Sequence, residues 1–394
     1  MDDGRHYVPF PADAPFSGQE LSRFAGERPF GPDTAVFEAV PNFSEGRDRA
    51  LIERLAAHSH VIDVHADPDH NRSVLTLAAA DLTGLSDALF AMVALAADEI
   101  DLRRHSGVHP RVGAADVVPF VTLGDAALSD AVAAAKALGE RIWRDLGIPV
   151  YFYAEAAGGR PLADVRAGRA KPDLGGAHHA TAGAVCVGAR RPLVAFNVAF
   201  GGLPMVRARR IAAQMRELQG VQALAFQLTG GRTQVSMNLT RPARTSVRDV
   251  YERACELAGL EGDPELVGLC PAAAAGPGCS GGLLEARIAA CAARLAAEIA
   301  RGRPGEEMTR LAERLDAESH SLADLPAVQD EVLAGAERAA ALLRVLEAAK
   351  LSSSELDALL ALAATGLRGA VTRETAARFG RRIALLDGWL TSAG

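Results

Sequence analysis

Residues Val61–Ala79, VIDVHADPDHNRSVLTLAA, hold two short apolar runs divided by a polar tip. Aliphatic and β-branched side chains crowd both runs. Asp67-Pro68-Asp69 between them has turn chemistry: proline presets one backbone angle, and aspartate accepts hydrogen bonds from the amides that follow it. The pattern predicts paired strands at Val61–Val64 and Arg72–Ala79. Moving outward, the apolar period lengthens on both sides. Leu51, Ile52 and Leu55 fall at helical spacing within Arg47–His58, and Gly84–Leu102 is a longer apolar-periodic run. Outside those helices, Val36–Phe43 and Val117–Leu123 read as strands, followed by a helix at Asp125–Leu146 and a strand at Val150–Ala154. The core order is β-α-β-β-α-β, the ferredoxin-like plan of an antiparallel sheet with its helices on one face.

The order then recurs. Pro192–Ala199 is a strand, Val206–Leu218 a helix, and Val221–Leu228 and Thr233–Leu239 are strands joined by the hairpin signal Thr229-Gly230-Gly231-Arg232. Ser246–Ala258 is a helix and Glu265–Leu269 a short strand. The expected class is α+β: two tandem ferredoxin-like subdomains, 35–183 and 184–274, facing a cleft. Residues 1–34 form an aperiodic extension and 275–282 an Ala/Gly/Pro linker. Residues 283–394 read as an all-α bundle, with Ala/Leu-rich helices at Leu283–Arg301, Gly305–His320, Ala327–Ala349, Ser353–Leu367 and Arg373–Leu390.

Bulk properties narrow the function. The chain has 394 residues, 49% of them hydrophobic, and a formal net charge of −7. That balance argues against nucleic acid as a partner, which calls for a basic face. The five cysteines include no C-x-x-C pair and are odd in number, which fits reduced thiols better than disulfides or a thiolate zinc site. The N-terminal residues lack an apolar signal core and no apolar run is long enough to span a bilayer. A cytoplasmic, self-associating protein without membrane contact is expected, acting on small molecules.

The chemistry-bearing side chains concentrate in loops. His105-Ser106-Gly107-Val108-His109-Pro110-Arg111-Val112-Gly113-Ala114-Ala115-Asp116 brings two imidazoles, a guanidinium and a carboxylate together between an apolar helix and an apolar strand. Imidazole exchanges protons near neutral pH, and guanidinium holds carboxylates through paired hydrogen bonds. The favoured reading is one imidazole as proton shuttle, oriented by Asp116 or a neighbour. His105 and His109 have the spacing of helical zinc ligands, but Gly107 and Pro110 oppose a helix there, and hydrogen bonding within the loop is the plain alternative. Asn71 and Arg72, after Asp67 and Asp69, are either a hairpin tip or donors for an anionic substrate. Asn42 lies in the strand–helix junction Val40–Asp48, where Ser44 and Glu45 are candidate helix caps. Gly175, Gly176, His178, His179, Thr181 and Gly183 share a small-residue loop, either a linker or a backbone surface that a flat ligand can approach. Gln234, Ser236 and Asn238 fall on one face of a strand, as a wet cleft or an exposed face requires.

Several blocks together resemble glutamate formimidoyltransferase, the transferase half of formimidoyltransferase-cyclodeaminase. They are Val40–Gly46 (VPNFSEG), Asp69–Thr76 (DHNRSVLT), His109–Phe120 (HPRVGAADVVPF), Pro149–Ala156 (PVYFYAEA), Gly183–Asn197 and Gln234–Leu239 (QVSMNL), spread in order across residues 36–272. The resemblance implies transfer of a formimidoyl group from N-formimidoyl-L-glutamate to N5 of tetrahydrofolate in histidine breakdown. Tetrahydrofolate is then a co-substrate, and no metal is needed. It puts the catalytic histidine at His109 and the folate loop at Gly175–Gly183. Asn42, Asn71, Arg72, Arg111 and Asp67 are the candidates for holding the glutamate. Mammalian members carry an aspartate where this sequence has His65. Gly276–Gly282 resembles the glycine-rich start of the cyclodeaminase, but the remaining chain is too short for that domain, and a packing remnant is expected. Formyl transfer involving 5-formyltetrahydrofolate, a metal-dependent hydrolase using His105 and His109, and a non-catalytic folate binder stand as the alternatives.

Overall fold

Alternating inward and outward side chains organise both sheets, and each sheet uses the two faces differently. The computed structural model describes residues 36–284 apart from 59, 80–81, 124–125, 243 and 272–273, with scattered positions between 287 and 320. The extension at 1–34 and nearly all of the expected helical bundle lie outside the described residues.

The first sheet contains β1 (Val36–Ala39), β2 (Asn42–Phe43), β3 (Val61–Asp67), β4 (Arg72–Ala79), β5 (Ala115–Leu123), β6 (Val150–Ala154) and β7 (Val185–Arg190). β1 and β2 are one strand broken at Val40-Pro41, because proline has no N–H to give to a ladder. Both segments lie between β4 and β5, and β3 flanks β4 on the outside. These pairings are antiparallel; β7 and then β6 extend the sheet beyond β5 in parallel. The helices are α1 (Arg49–Ala56), α2 (Leu82–Glu99), α3 (Leu128–Leu146) and the short α4 (Leu162–Arg166).

The second sheet contains β8 (Val194–Phe200), β9 (Val221–Gln227), β10 (Thr233–Leu239) and β11 (Asp263–Val267), in the antiparallel order β11-β8-β10-β9. α5 (Met205–Met215) and α6 (Val247–Ala258) alternate with these strands. The β-α-β-β-α-β order is therefore present twice. Ser246 starts α6 through a reciprocal capping box with Asp249. α1 is capped by Asp48, which accepts from the amides of Ala50 and Leu51, and not by Ser44 or Glu45. Ser44 instead donates to the Gly113 carbonyl at 2.7 Å.

One strand went unread. Val185–Arg190 (VCVGAR) is buried on both faces, so it lacks the polar alternation that marks half-buried strands. The crossing from the first sheet to the second accordingly falls at 191–193, later than the expected boundary at 183.

The odd-numbered residues of β1 and β4 and the even-numbered residues of β5 and β8 enter the cores. Phe37, Leu75, Leu77, Val118 and Phe120 pack with Leu85, Leu89 and Met92 of α2. Phe196, Val198, Phe200, Val235 and Met237 pack with Ile211, Met215 and Val250. Each such fully buried side chain contributes about 2 kcal/mol by leaving water. The opposite faces of the two sheets are left to meet each other. Among the described residues no helix is long and apolar enough to cross a membrane.

Candidate active site

The two inner faces enclose a cavity of about 1060 Å³, open solvent at its mouth included. Strand periodicity selects its wall: Glu38 from β1 and Asn42 from β2, with Val40 at the break between them, His65 and Asp67 from β3, and Arg72, Val74 and Thr76 from β4. The second sheet contributes Ala195 and Asn197 from β8 and Ser236 and Asn238 from β10. The polar face read on β10 thus looks into the cavity, and Gln234, next along it, reaches His70 at 2.9 Å.

His109 lines this space from the loop between α2 and β5. Its ring stacks on Phe226 of β9, with centroids 5.8 Å apart, and lies 5.6 Å from the ring of His70. The Nδ1 atom is 2.7 Å from the Pro110 carbonyl oxygen. A carbonyl only accepts, so Nδ1 carries the hydrogen and Nε2 keeps its lone pair. Burial, and next the positive charges of Arg72 and Arg166, depress the ring's pKa to about 2. The imidazole is neutral at physiological pH.

The loop that presents His109 is built by its neighbours. Arg111, expected on the substrate, does not line the cavity. Its guanidinium donates to the carbonyls of His109 at 2.7 Å and Gly107 at 3.1 Å, and to His105 Nδ1 at 2.5 Å. His105 in turn donates through Nε2 to the Asn71 carbonyl at 3.2 Å, so this ring is a strut of the loop. Asn71, also expected on the substrate, ties two loops together instead. Its side chain accepts from Gly46 N at 2.9 Å and donates to the Ser106 carbonyl at 3.0 Å. It does so from a left-handed φ of 46°, a conformation that asparagine tolerates. Gly107 passes so near that a Cβ there would lie 2.3 Å from the His70 carbonyl.

Asp116 does not touch His109. It is wholly buried and accepts from Arg72 at 2.6 Å, Arg166 at 2.9 Å and the Val112 amide at 2.6 Å. Burial alone would raise its pKa, but the two guanidinium groups outweigh that and hold the carboxyl far below its usual range. Two cations sharing one anion leave a net positive charge beside His109. Arg72 also donates to Asn42 Oδ1 at 2.8 Å, which aligns both side chains along the wall. The Arg166 Nε is buried and has no hydrogen-bond partner among the described residues. Arg72 and Asn42 were anticipated; Arg166, 50 residues from Asp116, had no local signal.

Asp67 lines the cavity and also shapes the turn, accepting from the amides of Asp69 at 2.8 Å and His70 at 2.9 Å. His65 faces Glu265 of β11 at 3.4 Å, an ion pair longer than a good hydrogen bond. Burial works against protonation of His65, but Glu265, then Asp63 and Asp67, raise its pKa overall. Glu265 is held at about 2, against the effect of burial, first by His65 and then by Asn197. Asn197 donates to Glu265 at 2.8 Å, Gln234 donates to it at 3.2 Å, and Thr229 donates to Asp69 at 2.6 Å. Asn197 and Gln234 brace Glu265 from within the second sheet, whereas His65–Glu265, His70–Gln234 and Thr229–Asp69 link the first sheet and its turn to the second.

The glycine-histidine loop sits apart from the cavity. Gly175, Gly176, His178, His179, Thr181 and Gly183 are all absent from its wall. His178 Nε2 lies 2.9 Å from the Tyr151 hydroxyl, His179 and Gly183 exchange backbone hydrogen bonds that close a turn, and Gly183 bridges to Gly113 at φ 71°. Among the described residues no three His, Cys, Asp or Glu side chains cluster as metal ligands.

Sequence reading missed Glu38, Thr76, Tyr153, Leu162, Arg166 and Arg190 on the wall. Glu38 alone left a trace: a charged residue between Phe37 and Ala39 marks a strand with two unlike faces.

A cavity walled by two sheets, with an imidazole beside paired guanidinium groups, has the make-up of an enzyme site for small molecules. The profile of the formiminotransferase domain, N-terminal subdomain, matches residues 36–190, which end where β7 ends. Glutamate formimidoyltransferase of Thermoplasma acidophilum is 40% identical over 269 residues, covering 60% of this chain and 88% of that protein. The protein of the same name from Streptococcus pyogenes is 36% identical over 271 residues, covering 61% and 90%. Formimidoyltransferase-cyclodeaminase of Sus scrofa is 36% identical over 275 residues, covering 60% of this chain and 50% of that protein. The chain belongs to the glutamate formimidoyltransferase family.

Proposed function

We infer that this protein transfers the formimidoyl group of N-formimidoyl-L-glutamate to N5 of tetrahydrofolate in histidine degradation, within a cleft between two ferredoxin-like subdomains. One observation carries the reading: His109 offers an unprotonated Nε2 to a cavity that both sheets wall, beside the Arg72–Asp116–Arg166 cluster. The surplus positive charge of that cluster suits the glutamate carboxylates.

The roles follow from the chemistry. N5 attacks the formimidoyl carbon, forming the N5–C bond and leaving N5 with one proton too many. His109 Nε2 takes that proton. As the bond between carbon and the glutamate nitrogen breaks, the same imidazolium returns the proton to the departing nitrogen. The incoming carboxylates offset the charges of Arg72 and Arg166 and so raise the pKa of His109 toward the working range. Holding two substrates in one cavity supplies further rate through lost translational freedom. A relay through one imidazole provides the acid–base chemistry without a metal.

Incubation with tetrahydrofolate and N-formimidoyl-L-glutamate, followed by product absorbance, tests this. Turnover is expected, and His109→Ala is expected to lower it at least ~100-fold while tetrahydrofolate binding persists. Unchanged turnover in that variant overturns the assignment.

A further inference from the structure

A row of side-chain ties leaves β3, an edge strand of the first sheet, for the second sheet. Asp63, His65 and Asp67 recur at every second position of that strand and share one face. His65 meets Glu265 of β11, itself an edge strand, and in the turn after β3 His70 meets Gln234 and Asp69 meets Thr229. At the other end of the row Asp63 meets Arg287, whose guanidinium lies 3.6 Å from its carboxylate. Arg287 belongs to neither sheet; it comes from the segment that follows β11.

That segment is built into the second unit. Leu283 is buried in the second core and pairs with Cys270. Gly282 packs so near Leu266 of β11 that a Cβ there would lie 2.5 Å from its side chain. Arg287 donates through Nε to the Gly281 carbonyl at 3.0 Å and is 6% exposed. Its side chain is therefore anchored on the second unit while its charged end grips the first. The other ties use imidazole, amide, hydroxyl and carboxylate; guanidinium keeps its charge at every working pH. Burial raises the pKa of Asp63, and Arg287 is the foremost charge opposing that rise. Removing the cation strands a desolvated carboxyl.

The separation of the sheets bears on the chemistry because both hold His109. Its loop belongs to the first unit, and its ring stacks on Phe226 of the second. The cavity wall is divided in the same way. We propose that Arg287 is a positioning residue: by gripping Asp63 it holds the cleft closed before either substrate arrives. The identity of those substrates rests on the formimidoyl-transfer reading above. A ligand that touches both walls binds only the closed protein, so its apparent dissociation constant is the intrinsic one divided by the closed fraction. With the grip released and the closed form reduced to about one tenth, either substrate alone binds ~10-fold more weakly. Once one is bound the cleft is shut, and the second binds as it does to wild type.

Calorimetric titrations on the full chain compare wild type, Arg287→Met, Arg287→Lys and Asp63→Asn, with thermal melting as a check on folding. Tetrahydrofolate alone and N-formimidoyl-L-glutamate alone should each lose ~10-fold in affinity for Arg287→Met, by the same factor. Saturating L-glutamate, which cannot react, should bring tetrahydrofolate back to within about 2-fold of wild type, and turnover with both substrates saturating should fall less than about 3-fold. Arg287→Lys, which keeps the charge, should restore most of the affinity. Asp63→Asn, nearly isosteric, carries the same expectation as Arg287→Met should that variant fail to fold. Unchanged affinities, a loss confined to one substrate, or a loss that L-glutamate does not repair overturns the clamp. A wild-type protein that binds neither substrate overturns the functional reading instead. The clamp is then decided without ligand, from the distance between spin labels at Glu140→Cys on α3 and Val206→Cys on α5, with Cys255 and Cys291 replaced by serine. Arg287→Met should broaden that distance distribution toward longer values, and coincident distributions overturn the proposal.

Discussion

Replacing Glu38 by glutamine should stabilise the empty protein, and only above acidic pH. In the fold, burial raises this carboxyl from an ordinary 4.5 to about 7, with Arg190 opposing. Between those two values the unfolded chain has released the proton and the folded chain still holds it. The folded state therefore binds more protons across that window, and its stability falls as pH rises through it. At about 1.4 kcal/mol per pH unit, the wild type loses ~3 kcal/mol between pH 4.5 and pH 8. Glutamine has no proton to lose. Any constant difference in packing, or in the environment of Arg190, shifts the two stability curves apart equally at every pH. The quantity to measure is the change in their separation. Urea unfolding followed by circular dichroism, at half-unit steps from pH 4.5 to pH 8, should show Glu38→Gln gaining ~3 kcal/mol on wild type. Parallel curves across that range would refute the reasoning, because they would mean that Glu38 titrates alike in both states.

Two further outcomes concern the proton relay. Nitrogen NMR of histidine-labelled protein should find His109 neutral, with the hydrogen on Nδ1, down to at least about pH 4. Saturation with N-formimidoyl-L-glutamate should then raise its pKa, and an imidazolium signal in the empty protein at pH 6 would contradict the charge environment described. Asp116→Asn removes the anion that Arg72 and Arg166 share, and urea unfolding should show a loss of about 3–5 kcal/mol, with the pKa of His109 pushed lower still.

Much of the fold was legible because the strands have unlike faces. Phe37–Glu38–Ala39 and Gln234–Val235–Ser236–Met237–Asn238 alternate in polarity, so periodicity located the strands, and on β10 it also offered a wet cleft as one of two readings. Val185–Arg190 escaped because burial on both sides erases that alternation. At the site, Arg72 stood out from chain-local chemistry, whereas the choice of His109 over His105 came from the family resemblance, and Asn42 and Asp67 were candidates for holding the glutamate. Asn71 and Arg111 have the right chemistry, but their hydrogen bonds go to the loop backbone, a fate that spacing does not disclose. Arg166 and Glu265 acquire their meaning only through partners 50 and 200 residues away in the chain, at Asp116 and His65.

The opposed walls also divide their labour. Ionisable side chains dominate the first, from Glu38 through Arg72 to Arg190, whereas the second offers mainly amides and a hydroxyl at Asn197, Ser236 and Asn238. Acid–base behaviour and molecular fit are consequently encoded in different stretches of the gene. Variation in the later stretch can retune which ligand is accepted while the titrating apparatus opposite stays untouched, which makes β8 and β10 the natural place to redirect selectivity by design.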